Sequence, residues 1–449
     1  MDYLDHVAAF AADTRSDDIS DAVIARTALI LADCIGAIAG GAAEPDMQAL
    51  RQGAGDMGAL VIGTARRSDK GRAAFLNGTA GTVLEMDEGN QFCKGHPGMH
   101  TVPAALAFAD GLPVSGRDLL AAIAIGYEVG ARVGIATRLR PAMHPHGTWG
   151  TIAAAVAVAR LAGRDAAGMR QAMNIAASFC LATSRRTMLE GGTVRNAYAG
   201  ISGQMGLTTH DLLTAGFEGD RDGVGQVFGR VVSDSFDTVA MTDGLGTRWE
   251  VSRNYFKMHS CCRYNHATLD ALDMIVARDG APDLARIARI EVDTYALAVE
   301  LDDPAPRNVL AAKFSVPFAV ATALVNGSTG VASFTAPNLG NPAIRALAAK
   351  VLLRQDAAMS AALPHNRPAR VTLVFDDGHS ATAETRTNRG DWADPYPAAE
   401  IRGKYLSLAT RVWRDDAAAA IWDRTLALAD APTAATLLDQ MAAAGHDVR

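Results

Sequence analysis

Proton transfer near neutral pH favours histidine, and this sequence sets its histidines among acids, cations and glycine-punctuated turns. The stretch EMDEGNQFCKGHPGMHTVPAALAF, residues 85–108, ends an apolar helical run with Glu85, Asp87 and Glu88. A glycine-punctuated loop then delivers His96-Pro97-Gly98 and His100, and Pro103 opens an alanine-rich helix, since proline suits a first helical turn. A second loop, Arg140-Pro-Ala-Met-His144-Pro-His146-Gly-Thr-Trp-Gly150, runs into another helix, whose N-terminus would favour an anion near His144. In a third cluster Arg195 and Tyr198 stand three apart and share a helical face. The fourth, residues 255–266, crowds Lys257, His259, Cys261, Cys262, Arg263, Tyr264 and His266 into one short run. A fifth, Lys313-Phe-Ser315-Val-Pro317-Phe318, reads as a helix start capped by Ser315 and is structural.

One chemistry uses all of these types. Removing a proton beside a carboxylate builds negative charge, which needs fixed cations on the carboxylate oxygens and a base with a pKa near neutrality. His96 and His144 form the candidate acid/base pair, with Tyr198 as a proton donor and Lys257 as a catalytic cation. Arg195 and Arg263 are candidate carboxylate ligands, and His266, Glu85 and Asp87 complete the substrate-binding set. The acid triplet could also recognise an amine or hydroxyl, so an imino- or amino-bearing dicarboxylate is one candidate substrate. Taken singly, each cluster also fits a plain structural role: surface histidines on an interhelical loop, or an arginine beside an interfacial tyrosine.

Other chemistries lack their signatures. HExxH is absent, and Pro97 and Gly98 spoil a helical face joining His96 to His100, so no metal site is expected. Vicinal Cys261-Cys262 read as small buried hydrophobes. Gly223-Val-Gly225-Gln-Val-Phe-Gly229 resembles a dinucleotide loop but is one residue too long and follows no strand. Neither GKS/GKT nor GxSxG occurs, so no nucleotide or flavin cofactor is expected.

The chain has 449 residues with a net charge of −7, and its 42 basic side chains form no block. That speaks against nucleic-acid or membrane-surface binding. Five irregularly spaced cysteines and an N-terminus without a signal pattern suggest a reduced, cytoplasmic setting. Asp33 and Glu128 interrupt the longest apolar helices, so no membrane span is expected.

These clusters must be held by elements that periodicity outlines. Apolar residues recur at helical spacing over 20–39, and further helices are expected near 71–86, 102–109, 116–137, 148–161, 165–181 and 196–215. Alanine and glycine dominate their faces, which lets helix axes approach closely. After residue 281 the pattern changes. Ile290, Val292 and Thr294 alternate along a strand, and RVTLVFDDGHSATAETR reads as a hairpin turning at Asp376-Asp377-Gly378. PFAVATALVNG and PAIRALAAKVLL read as helices between them. The fold expected is mainly α: a large discontinuous all-helical domain (1–258, then 395–449) carrying a smaller α+β lid domain (259–394).

Together the motifs resemble the MmgE/PrpD family, which includes 2-methylcitrate dehydratase, cis-aconitate decarboxylase and iminodisuccinate epimerase. The family's HPG and proline-led helix fall on His96-Pro97-Gly98 and Pro103. Its HP-x-G-T loop falls on His144–Thr148, and its K-x-x-H-x-G segment on Arg195–Gly200, before Gly216-Phe217. Its K-P-x-P-C-C-R-Y falls on Lys257–Tyr264, and its F-S-x-P-Y on Phe314–Phe318. The resemblance implies a helical domain closed by an α+β lid, a homodimer, and cofactor-free chemistry on a small di- or tricarboxylate. It also implies catalytic or anion-binding roles for His96, His144, Lys257 and the Arg195 position. The chain departs from the family where D-F-[D/N]-D-T becomes Glu85-Met-Asp87-Glu88-Gly89 and where Arg195 and Tyr198 replace Lys and His. A metal-dependent hydrolase and a non-catalytic dimeric carboxylate-binding protein are the competing classes.

Overall fold

The computed structural model describes residues 2–445. The protein is mainly α with a small α+β part.

The helix Asp21–Ala42 lies at the centre of the helical part. Ser20 caps it, its hydroxyl accepting the Val23 N–H, and the 3-10 turn Ser16–Asp18 precedes the cap. Lys70–Val83 packs on one side, and the returning helix Ala398–Ala409 on another. Small residues make these contacts possible. A Cβ on Gly41 would lie 1.9 Å from the Ala80 carbonyl oxygen, and one on Gly200 would lie 2.2 Å from that of Phe75. The helix faces rich in alanine and glycine are therefore close-approach faces.

Asp21–Ala42 and Gly116–Ala136 are each long and apolar enough to cross a bilayer, contrary to the expectation from Asp33 and Glu128. One or two charges do not disqualify such a span. In this fold 78% and 94% of the two apolar windows are buried within the protein, and the charges bind neighbouring segments. Asp33 pairs with Lys404 at 2.6 Å and accepts the Glu88 N–H at 3.0 Å. Glu128 pairs with Arg132 at 2.6 Å, and Arg132 donates to the carbonyls of Met241, Asp243 and Arg248.

The segment 1–258, expected to be all-helical, is not wholly so. Two short antiparallel ribbons, Ala59–Leu60 with Arg67–Ser68 and Thr137–Leu139 with Ser233–Phe236, pin interhelical turns.

The α+β part holds a four-stranded sheet in the order Val351–Gln355, Ile287–Thr294, Ala369–Phe375, Ser380–Thr385. The first pair is parallel and the others antiparallel. Ile290, Val292 and Thr294 are buried as alternation requires, and Gly378 turns the hairpin at φ +88°. The run PAIRALAAKVLL divides. Only Pro342–Ala348 is helical, and from Val351 the chain is a strand. Pairing with Ile290–Thr294 supplies the partner that local propensity could not show.

Buried apolar side chains gather in two main clusters. One draws on residues from Leu4 to Phe256 and from Tyr396 to Met441; the other draws on Met188 and on residues from Cys261 to Ala383.

Candidate active site

The site forms where the helix Lys70–Val83 ends. Glu85 adopts a left-handed backbone, φ +55°, which reverses the chain and turns the three acids inward. A side chain other than glycine in that region is held there at a cost of about 1–3 kcal/mol, which the surrounding contacts must offset. The loop is tied to a distant segment. Gly89 and Tyr255 exchange backbone hydrogen bonds of 3.1 and 2.7 Å, which brings Lys257 under the acids.

His96 and His100 do not share a loop that ends where Pro103 opens the helix, as the glycine-punctuated sequence suggested, and neither is a surface residue. The helix begins at Pro97 and runs to Ala109, with His96 as its N-cap residue and Pro103 in its interior. Pro97 sits at N1, where no N–H is missed, so a proline between the histidines starts the helix rather than spoiling it. Glu88 accepts the Gly98 N–H at 2.8 Å, satisfying a terminal donor, and a Cβ on Gly98 would lie 2.6 Å from that carboxylate oxygen. The HPG triplet is thus a helix start that only glycine fits at its third position.

The ring tautomers follow from the hydrogen bonds. His96 Nδ1 lies 2.7 Å from the Glu88 carbonyl oxygen and 3.0 Å from Asp87 Oδ2. A carbonyl only accepts, so Nδ1 carries a proton and neutral His96 keeps a lone pair on Nε2. His144 is the reverse. Its Nδ1 accepts the His146 backbone N–H at 3.0 Å, which leaves the proton on Nε2. Burial, with Arg195 and Arg185 nearby, holds His144 well below the usual histidine range, so it is a neutral donor. Tyr198 packs edge-on to His144, ring centroids 5.8 Å apart, at the start of the helix Tyr198–Thr214.

Two further histidines complete the cluster. The His146 ring lies 4.6 Å from that of His96 and 5.3 Å from those of His144 and His100. Among the described residues neither ring nitrogen of His146 or His100 has a hydrogen-bond partner. Burial pushes His100 down to about 3 and His146 well below its ordinary value. Gly150 makes room for His100, since a Cβ there would meet its ring at 2.3 Å.

The cations divide into two groups. Arg195 is ion-paired with Glu85 Oε1, and Lys257 donates to Glu85 Oε2 at 3.1 Å. Burial works to raise the Glu85 pKa, but Arg195 and Lys257 outweigh it and hold the carboxyl below its ordinary range. Asp87 is likewise held low, with His96 and Lys257 overcoming its burial. Glu85 therefore serves first as counter-ion to Arg195 and Lys257. Arg263 bonds Asp391 and stacks over Tyr255 at 4.5 Å. His266 does not face the cavity: it accepts from Arg263 at 3.0 Å, bonds the Cys261 carbonyl at 3.3 Å, and so orients Arg263 from behind.

The cavity between His96, His144 and the α+β part is narrow, about 60 Å³. Lys94, Arg185, Arg195, Arg263 and Arg367 reach its wall, against the single carboxylate of Glu85. Lys94, Arg185 and Arg367 were not legible as site residues. Arg367 is the most informative: 5% exposed, near Tyr264 and Tyr255, it donates to the Gln91 carbonyl at 3.4 Å and has no carboxylate within ion-pair distance among the described residues. Its surroundings, His-Asn-Arg-Pro, carry no motif.

Among the described residues no three His, Cys, Asp or Glu side chains are grouped to hold a metal ion. Burial pushes the Cys261 thiol up to about 12 and also raises Cys262, so both are protonated. Ser315 caps its helix, accepting the Phe318 N–H at 3.0 Å.

Residues 5–235 match the MmgE/PrpD N-terminal domain model and residues 259–428 the MmgE/PrpD C-terminal domain model. Among curated relatives, the chain is 24% identical to a cis-aconitate decarboxylase of Aspergillus terreus, over 93% of this chain and 91% of the relative. It is 23% identical to the cis-aconitate decarboxylases of Mus musculus and Homo sapiens, over 76% of this chain and 72% and 73% of theirs. With both domain models matched in order across most of its length, this chain belongs to the MmgE/PrpD family of enzymes.

Proposed function

We propose that the protein is a cofactor-free lyase or isomerase that removes a proton next to a carboxylate of a small di- or tricarboxylate. The observation that carries this reading is the pairing of opposite tautomers, His96 with a free Nε2 lone pair and His144 with an Nε2–H, beside a cavity walled by five cations.

In this mechanism His96 Nε2 takes the α-proton. The electron pair left behind spreads onto the adjacent carboxylate, whose oxygens meet Arg367 and Arg263 with Arg195 behind them. Asp87, 3.0 Å from Nδ1, stabilises the imidazolium that forms. The neutral His144 hydrogen-bonds through Nε2–H to the departing oxygen in a dehydration, or faces the opposite side of the carbon in an epimerisation; the proton it gives leaves imidazolate, which solvent reprotonates as His96 releases the proton it took. In a decarboxylation no proton is removed: the carbanion arises as carbon dioxide leaves by C–C cleavage, and His96, entering that step as imidazolium beside Asp87, reprotonates it. The family members carrying the name cis-aconitate decarboxylase make cis-aconitate the first tricarboxylate to try. Glu85 and Asp87 keep an imino- or amino-dicarboxylate in the same panel.

A cavity of about 60 Å³ is far below the several hundred Å³ typical of small-molecule sites. Substrate admission therefore needs the segment bearing Arg263, Phe314 and Arg367 to move away from the histidines.

The test is proton NMR in D2O, with chelator, on citrate-, aconitate- and imino- or aminodicarboxylate-type compounds. Deuterium entering an α-carbon, with or without a new olefin or loss of carbon dioxide, is expected. Activity appearing only with added metal would point to a hydrolase. Carboxylate binding with no exchange at any carbon would point to a non-catalytic binder.

A further inference from the structure

A second cavity, of about 1060 Å³, shares a wall with the catalytic one. Leu84 and Met86 face it while Glu85, between them, faces the catalytic cavity; Thr193 and Asn196 face it while Arg195 faces the other. Much of its lining is apolar, including Val83, Leu310, Val331 and Phe334.

Three cations reach this lining, and they are not equivalent. Lys404 is neutralised by Asp33 at 2.6 Å and Arg411 by Glu44 at 2.7 Å. Lys313 is 2% exposed and donates to the Val83 carbonyl at 3.0 Å, and no carboxylate lies within ion-pair distance of it among the described residues. Its burial pushes the amine down to about 8. A buried ammonium without a counter-charge is costly unless something supplies one. Glu85 and Glu44 favour the charged form of Lys313 from a distance and the exposed Asp46 stands elsewhere on the lining, but none of them touches the amine, so a small anion on an apolar body would be its first direct counter-charge.

We propose that this cavity is a second binding site for a small monocarboxylate with an unbranched apolar chain. The carboxylate sits against Lys313 and the chain along Leu84, Met86, Leu310 and Phe334. Because Leu84 and Met86 flank Glu85, and Asn196 follows Arg195, an occupant bears directly on the buried ion pair of the catalytic cavity.

The test is calorimetric titration of the full chain at pH 7 with butanoate, hexanoate, octanoate and 1-octanol. Octanoate is expected to bind one per chain, each added methylene tightening binding about fourfold. 1-Octanol should bind at least tenfold more weakly. Lys313→Met should weaken octanoate at least tenfold, and so should Ala332→Trp, which fills the cavity from an exposed rim position. His96→Ala, in the catalytic cavity, should bind octanoate like the parent. The proposal is overturned if no chain length gives heat at millimolar concentration, if octanol matches octanoate, or if Ala332→Trp leaves binding intact. Loss of binding in His96→Ala with retention in Ala332→Trp would place the carboxylate in the catalytic cavity and also overturn it. A second copy of the chain covering the cavity, seen as an oligomer that Ala332→Trp dissociates and that octanoate does not enter, would do the same. If Lys313→Met fails to fold, Ala332→Trp still decides. These are binding readouts, so they stand apart from whether the proposed reaction occurs.

Discussion

His96 and His144 stand at one cavity with opposite faces of the imidazole system turned to it. The Glu88 carbonyl holds the His96 proton on Nδ1, and the His146 N–H holds the His144 lone pair there. Both locks are backbone groups, so the tautomers are set by how the chain folds around the rings.

Replacing either ring separates the two roles. His96→Gln and His144→Gln should each lower kcat by about 10²–10⁴-fold, the usual worth of a positioned acid or base. Asp87→Asn should cost less, about 10²-fold, because His96 keeps its Glu88 contact. Turnover by NMR, with circular dichroism to check folding, measures this; near-parental turnover in both histidine variants would remove them from the mechanism.

Among the described residues no carboxylate lies within ion-pair distance of Arg367, which leaves its charge for substrate in the proposed reaction. Arg367→Met should raise KM for a tricarboxylate more than for a monocarboxylate and lower kcat/KM by about 10–100-fold, the loss of one charged hydrogen-bonding group. Equal effects on both substrates would mean that Arg367 acts only through packing on Tyr255 and Tyr264.

Glu85 neutralises two buried cations at once. Glu85→Gln leaves Arg195 and Lys257 without their counter-ion and should destabilise the protein by about 3–5 kcal/mol. Urea unfolding reads this directly. A stability unchanged within error would mean that the cations are solvated from the cavity.

Four histidines, His100, His144, His146 and His266, are held neutral by burial, with folded-state pKa values below the unfolded value near 6.5. Unfolding lets them take up protons, so their contribution to stability is complete above pH 6.5 and is lost as pH falls. For His100 the loss continues down to about pH 3. Each should contribute a slope of about 1.4 kcal/mol per pH unit in that window. A urea midpoint that stays level from pH 7 to pH 5 would contradict it.

Glu88 acts with the opposite sign. Burial, helped by Asp33 and Asp87, lifts its pKa from an ordinary 4.5 to about 8. Its stabilising contribution is therefore present below pH 4.5 and is lost as pH rises through 8, roughly 5 kcal/mol at most. Glu88→Gln keeps an acceptor for the Gly98 N–H and removes the titration. The variant should gain stability relative to the parent between pH 6 and pH 9, in denaturation profiles run side by side. Parallel profiles would show that Glu88 is ionised throughout.

The amino-acid order by itself determined many of the helices, among them those over Asp21–Ala42, Gly116–Ala136 and Gly150–Leu161, the alternating strand at Ile290 and Val292, the hairpin turn at Gly378, and the segments that carry His96, His144, Arg195, Lys257 and Arg263. These follow from periodicity, capping and turn chemistry, which act over a few residues. Even locally some signals competed: Pro97 and Pro103 both fit a helix start, and the Glu88–Gly98 cap selects the first. Only the tertiary structure decided which charges face one another. It placed Glu85 against Arg195 and Lys257, turned His266 behind Arg263, made a strand of Val351–Gln355, and brought Arg367 to the cavity from more than 270 positions beyond Gln91, its hydrogen-bond partner. Spacing along a chain carries no information about such distances, because close packing of helices through small residues such as Gly41 and Gly200 sets them.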